Sequence, residues 1–340
     1  MTLIHRLKIE TRRFLITTFL LIPFLALKEI KPVAKLFLWI LRQFKFLYIF
    51  VIYPGNRKDY LGYYYKFLDH FMPPILPAGW ITGKKKGFIV ASPTTVFEFA
   101  NLKRLNEVTS AVENLRKAIG AKYVAYAGRF PSIMHQAGLK ISSVVLGQFG
   151  VNFVIEESLK LICCKENMTK PVVGIIGLGF TGLNVAKNLS AKYKVIGYDV
   201  RKVTNESTYE NLTLTLNAKK LSECDVVILL TTGGNDVNDL IENFKQGVLV
   251  IDDNHPPLSP SLVRKLKKEK GAKVYRAVVG ANGVKFFPRL PNYSPEWIPG
   301  CVIEAIISND SNFKNQEEFN QAALEAGFHA LKAIHRGTKI

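Results

Sequence analysis

The sequence predicts an α/β fold: a domain of parallel strands and helices, a second smaller α/β domain, and an apolar, basic helical region at the amino terminus. Three observations carry that expectation. From Pro171 the chain reads as buried strand, glycine turn and helix, "PVVGIIGLGFTGLNVAKNL". From Gly87 onward, short apolar runs alternate with runs whose apolar residues recur at helical spacing. Before Gly87, residues 1–86 hold 15 Lys and Arg against 4 Asp and Glu, so +11 of the chain's +19 lies in its first quarter. A length of 340 residues suffices for two domains, each with its own core.

In the amino-terminal region, residues 1–86, Phe14–Leu27 is apolar but only 14 residues long. As a helix it spans about 21 Å, short of a ~30 Å hydrocarbon layer, and Pro23 interrupts it. The basic residues before it resemble a signal-peptide start, but no small-residue cleavage site follows. Leu36–Tyr53 is longer, yet carries Arg42 and Lys45 near its middle, each costing roughly 2.5–3.5 kcal/mol inside a bilayer. The expectation is helices lying on one leaflet with basic heads at the phosphates, in a cytoplasmic, peripheral or monotopic membrane-associated protein. Buried core helices and a transmembrane hairpin are the alternatives. Clustering of charge with apolar residues argues against nucleic acid as the partner. Four cysteines without a CxxC pair point to a reducing compartment and to no metal site.

Residues 87–169 read as a substrate or catalytic α/β domain, completed by 296–340. "GFIVAS" and "AKYVAYAG" are its strands. Leu105, Val108, Val112 and Leu115 mark the helix between them, which ends at Gly120. "FVIEESLKLICC" is a helix with packed thiols at Cys163 and Cys164. The tail helix "QEEFNQAALEAGFHALKAI" is expected to pack on this domain.

Residues 170–295 carry the strongest signal. Gly177, Gly179 and Gly182 fit G-x-G-x-x-G, with Leu178, Phe180 and Thr181 between them. The first glycine permits the tight turn, the second lets a pyrophosphate approach the backbone, and the third allows close helix–strand packing. Asp199 follows 22 residues after Gly177, at the end of the next strand, where a carboxylate meets ribose hydroxyls. Arg201 and Lys202 suit a 2′-phosphate instead. The cofactor is therefore NAD or NADP, with NADH favoured. "CDVVILLTTGG", "GVLVIDDN" and "AKVYRAVV" continue the parallel sheet. Between the last two lies a crossover helix with Ser259 as cap, Pro260 first and Gly271 last. This is a Rossmann nucleotide-binding pattern, which places Thr231, Thr232 and the Asp252–His255 loop at the cofactor.

Three further islands carry a family resemblance. "AGRFPSIM" (127–134) is similar to a Gly-Gly-Phe-Ser-Ser-Ile segment, "IDDNHPP" (251–257) to Ile-Asp-Gly-Gly-Tyr-Pro, and "PGCVIEAI" (299–306) to Ala-Cys-x-Ala-Glu. With them the chain resembles the aldehyde-forming long-chain acyl-[acyl carrier protein] reductases from about Val108 to Ile306. It departs from them at "FGVNFV" (149–154), where the family's histidine is missing, and its glycine loop differs from theirs. The two-domain plan also resembles glutamyl-tRNA reductase and shikimate dehydrogenase. The resemblance implies NAD(P)H-dependent reduction of a fatty acyl thioester, carried by acyl carrier protein or coenzyme A, to a fatty aldehyde at a membrane surface. It makes Cys301 the acyl acceptor, Glu304 the following glutamate, and Asp252 a matched catalytic residue.

The residues themselves leave more than one role open. Cys301, after Pro299-Gly300 at a helix start, is either a nucleophile with a lowered pKa or a packed thiol. His255 is a general acid or a loop histidine, and His135 a weaker candidate. Arg129 and Ser132 line a substrate site or a turn; Asn152 orients a carbonyl or caps a helix. The alternative functions are an alcohol or keto dehydrogenase using His255 or Lys140, and an NAD-binding membrane protein without turnover.

Overall fold

The computed structural model describes residues 3–18, 31–201, 203, 206–289 and 294–331. The chain divides into two compact units. The first is Met1–Gly147 with Gly283–Pro295 and Ser308–Asp310; the second is Gln148–Asn282 with Glu296–Ile307 and Ser311–Ile340.

The first unit begins with helices α1 (Leu3–Ile16) and α2 (Lys31–Gln43). There follow β1 (Tyr48–Ile52), α3 (Arg57–Leu61), β2 (Leu76–Ile81), β3 (Gly87–Ala91), α4 (Leu102–Ile119), β4 (Tyr123–Tyr126), α5 (Phe130–Gln136) and β5 (Val144–Val145). Its six-stranded sheet runs in the order Phe286–Phe287, β2, β3, β1, β4, β5. Strand β1 lies parallel to both β3 and β4, whereas β2 is antiparallel to β3. The boundary expected near Lys86 is therefore corrected, because residues on both sides of it build one sheet. Likewise, the end of the expected membrane segment Leu36–Tyr53 is a central strand whose Tyr48, Ile49, Phe50 and Val51 are at most 1% exposed. A strand buried on both faces has the same unbroken apolar run as a lipid-embedded segment. No described helix is long and apolar enough to cross a membrane; residues 19–27 of the Phe14–Leu27 stretch lie outside the described residues. Helix α4 matches its sequence signals. Asn101 caps its start, Gly120 (φ 78°) closes it in the left-handed conformation, and Leu105, Val108 and Val112 are buried.

The second unit comprises α6 (Gln148–Lys165), β6 (Val173–Ile176), α7 (Phe180–Ser190), β7 (Val195–Tyr198), β8 (Ser207–Tyr209), β9 (Leu212–Thr215), β10 (Val226–Leu229), β11 (Leu249–Asp252), α8 (Pro260–Lys270), β12 (Lys273–Arg276), α9 (Gly300–Ile307) and α10 (Gln316–Glu325). Its sheet order is β12-β11-β10-β6-β7-β9-β8, parallel except for the β8–β9 pair. This is the Rossmann arrangement. Helices α6, α9 and α10 belong to this unit and pack together, so the segment expected to complete the first domain completes the second. Val227 and Val250 of the sheet and Val263 and Leu266 of α8 are fully buried in one core, each side chain contributing about 1.5–3 kcal/mol by leaving water. Cys163 and Cys224 are buried, but Cys164 is exposed, contrary to the packed thiol expected there. Among the described residues no group of His, Cys, Asp and Glu could hold a metal ion.

Candidate functional site at the carboxyl edge of the parallel sheet

Ile176, Leu229 and Asp252 are register partners across β6, β10 and β11, so the three loops that follow them leave the sheet side by side. Gly177 makes the first turn at φ +97°, and a Cβ there would lie 2.6 Å from the Leu230 carbonyl oxygen. A Cβ at Gly182 would lie 1.8 Å from the Gly177 oxygen. Packing alone demands these two glycines. Gly179, the cap of α7, is different: a Cβ there would meet nothing within 4 Å. The open space in front of the α7 amino terminus is the room a pyrophosphate needs. Leu178 is buried, while Phe180 and Thr181 are half-buried on the first turn of α7. Asp199 follows β7, and its carboxylate accepts from Leu178 N at 2.7 Å and from Arg201 N at 2.7 Å. A carboxylate at this place is the kind of acceptor a ribose hydroxyl needs. The Arg201 side chain is exposed beside it; Lys202 lies outside the described residues. The loop, the open cap and the carboxylate together fit a dinucleotide.

The neighbouring loops extend this edge. The Thr231 hydroxyl lies 2.8 Å from the Gly233 carbonyl and 3.2 Å from Asn254 Oδ1. Thr232 is exposed and donates to Asp236, which also accepts from Gly233 N. Asp252 is corrected from a reacting group to an anchor. It is fully buried, pairs with Arg276 at 3.0 Å, and accepts from Asn254 N and Leu258 N. Asp252 and Arg276 are register partners on β11 and β12. That pairing of opposite charges on adjacent buried strands was the missed signal. With Asp252 occupied, the carboxyl available to chemistry is Asp253. Burial, reinforced by the Asp252 charge and opposed by Arg276, pushes it up to about 7. Burial and the Arg276 charge together lower His255 to about 4. Its surface is nevertheless exposed.

Cys301 is placed where expected, in the first turn of α9, but in the opposite electrostatic state. Burial, with the Glu304 charge adding, pushes the thiol up to about 12; the backbone N–H groups of the helix start act the other way and lose. The cause is packing against α6. A Cβ at Gly150 would lie 1.9 Å from Gly300 O, and one at Gly300 would lie 2.5 Å from Val151 N. Gly150 N donates to Glu304 at 3.0 Å. The two glycines thus bring the helices into backbone contact. A thiol that stays protonated near pH 7 is a poor nucleophile.

Arg129 is the exposed residue before α5, and Ser132 is half-buried in its first turn. His135 and Lys140 are exposed. All four belong to the first unit. Asn152 is 4% exposed within α6 and bonds to Asn184 and Gln316 rather than capping a helix.

Residues 172–281 match the family model described as the NAD binding domain of 6-phosphogluconate dehydrogenase. No curated protein matches the chain. Among solved structures, a D-isomer specific 2-hydroxyacid dehydrogenase from Xanthobacter autotrophicus Py2, in complex with NADPH and MES, is 17% identical; the match covers 56% of this chain and 90% of that one, with a TM-score of 0.29. TP0037 from Treponema pallidum, a D-lactate dehydrogenase, is 14% identical over 82% of this chain and 94% of its own, with a TM-score of 0.35. An NAD-dependent formate dehydrogenase from Staphylococcus aureus in complex with NAD is 11% identical over 62% and 72%, with a TM-score of 0.33. Likenesses of that size assign no residue and no substrate. The glycine loop and the matched segment agree: the second unit carries a Rossmann-type NAD-binding domain, and the cofactor is NAD or NADP.

Proposed function

We propose that the protein interconverts a carbonyl compound and its alcohol, with the Asp253–His255 loop moving the proton. The observation that supports this reading is the continuity of the edge: Gly177 against Leu230, Thr231 against Asn254, and Asp253 next in the chain. The reduced cofactor, when bound, supplies a hydride. Asp253, titrating near 7, gives its proton to the carbonyl oxygen and is left as the carboxylate; the reverse reaction returns the proton. A pKa near working pH serves both directions. Neutral His255 remains a hydrogen-bond partner for the substrate oxygen, and the Asp252–Arg276 pair fixes the loop beneath it. The acyl-thioester reading needs an ionised Cys301 and loses its support from the sealed thiol.

The test offers NADH and NADPH with aldehydes, ketones and acyl thioesters, following nicotinamide absorbance. Carbonyl reduction that survives Cys301→Ala and collapses in Asp253→Asn is the expected result. Aldehyde formation from a thioester, abolished by Cys301→Ala, would overturn it.

We further propose, independently of that chemistry, that the protein lies at an anionic lipid surface. Helix α2 buries Leu41 but turns Leu36 (54%), Trp39 (58%) and Ile40 (41%) outward, beside exposed Lys35, Arg42 and Lys45. Helix α1 sets Arg12 and Arg13 over the Tyr63 and Tyr65 rings and leaves Leu7, Phe14 and Leu15 exposed. Both helices thus present apolar side chains beside cations, the chemistry of an interfacial anchor. Co-sedimentation with phosphatidylserine vesicles, lost in Trp39→Ser with Ile40→Ser, checks it; protein left in the supernatant with wild-type sequence contradicts it.

A further inference from the structure

One face of the first unit's sheet is covered only part of the way across. Leu41 of α2 and Phe46 pack there in one core with Phe88 of β3 and with Leu105 and Val108 of α4. Trp80 of β2 is the register partner of Phe88, and Phe287 is the register partner of Trp80, both in antiparallel pairs. Directly opposed residues of such pairs share a face, so both rings stand on the face that α2 and α4 cover elsewhere. Yet Trp80 is 44% and Phe287 54% exposed, with ring centroids 4.5 Å apart. On the other side of Phe88, the Phe46 ring lies 5.1 Å away, and exposed Phe44 lies 5.7 Å beyond that. One aromatic row thus runs from the end of α2 to the sheet edge, buried in the middle and wet at both ends.

Helix α4 packs on β1 and β4, on the far side of β3 from β2. Arg42 of α2 donates to the Ala118 carbonyl of α4, so that flank of α2 is taken. Exposed Ile40 lies about 160° round the helix from Arg42 at 100° per residue, on the flank toward the open edge. The charge at this edge has one sign. Residues 79–88 and 283–289 contain Lys84, Lys85, Lys86, Lys285 and Arg289 and no Asp or Glu. Lys85 pairs with Asp310, and the other four are exposed. Half-exposed aromatic rings among cations suit the headgroup level of an anionic bilayer, where rings meet the acyl boundary and cations meet phosphates. A second copy docked symmetrically at this edge would bring the same positive charge against itself. We infer that the Trp80–Phe287 edge is a second lipid contact: its two rings enter the bilayer together with Trp39 and Ile40, so that the open side of the sheet, and not α4, faces the lipid. The inference rests on the lipid-surface reading of α2 above and adds a contact that reading does not need.

The chain's three tryptophans, Trp39, Trp80 and Trp297, supply the test. In the full chain, Trp39→Phe with Trp297→Phe leaves Trp80 as sole reporter, and Trp80→Phe with Trp297→Phe leaves Trp39; phenylalanine keeps an apolar ring at each place. With vesicles containing phosphatidylserine, the emission of Trp80 should shift to the blue and be quenched by lipids brominated on their acyl chains, as that of Trp39 should. Lys84→Gln with Lys86→Gln should weaken vesicle binding roughly fivefold for each charge removed. Quenching of Trp39 with Trp80 unshifted and unquenched would overturn the inference and leave the α2 contact standing. Protein that stays in the supernatant would overturn both. A dimer seen by light scattering without lipid, and broken by Trp80→Ser, would assign the edge to a second copy and overturn the inference as well.

Discussion

Two helix starts in the second unit share a grammar and end in opposite states. Helix α7 starts at Phe180 with Gly179 as its cap, and α9 starts at Gly300, just after Pro299. In front of Gly179 nothing lies within 4 Å of a would-be Cβ; in front of Gly300 the α6 backbone stands at 2.5 Å. The first terminus has room for a phosphate. The second has been closed by another helix, and its cysteine is driven up to about 12 rather than down. A helix terminus activates a group only when the group stays solvated enough for the dipole to outweigh burial.

The comparison breaks most visibly at its supports. Arg276→Ala should leave Asp252 buried without its counter-charge, at a cost of about 3–5 kcal/mol; chemical denaturation reads it, and a loss under about 1 kcal/mol would mean the pair does not hold the open edge. Gly150→Ala should cost about 2–3 kcal/mol, because the methyl must displace the Gly300 backbone and not a side chain. If its melting temperature matched wild type, the closed terminus would be less closed than the glycine contact requires.

A subtler test uses pH. Asp253 is raised to about 7 and His255 lowered to about 4. A raised carboxyl holds its proton in the folded state after the unfolded chain has lost it, so its contribution to stability falls as pH climbs from about 4 to about 7. A lowered imidazole is neutral when folded but charged when unfolded, so its contribution rises with pH from about 4 to about 6.5. The two slopes oppose each other in wild type. Relative to wild type, Asp253→Asn should gain stability with rising pH across that window, and His255→Asn should lose it, by less because His255 is exposed. Parallel pH curves for all three proteins would remove the loop's electrostatics from the account.

How legible these features were depends on the range of the interaction that makes each one. The glycine loop could be read because Gly177 and Gly182 answer to atoms within a short βα turn and the adjacent strand. Helix α8 could be read because Ser259 accepts from Leu262 N and Gly271 closes it at φ 58°, both local devices. Strand β1 could not: "YIFVI" beside lysines has the composition of a lipid segment, and only its partners β3 and β4 make it a strand. At the start of α9 the helix is legible, but its backbone contact with Gly150 comes from 150 positions away in the chain. Asp252 and Asp253 were indistinguishable as neighbours; the pairing of Asp252 with Arg276 across the sheet separates them.

Gly179→Val tests the open terminus most directly. No protein atom lies within 4 Å of the new Cβ, so the thermal midpoint should stay within a few degrees of wild type while NADH affinity, read by fluorescence titration, falls by about a hundredfold, the ~2.7 kcal/mol of an excluded phosphate contact. A variant that melts like wild type and still binds NADH equally well would show that the cofactor does not sit before α7, and the account would fail there.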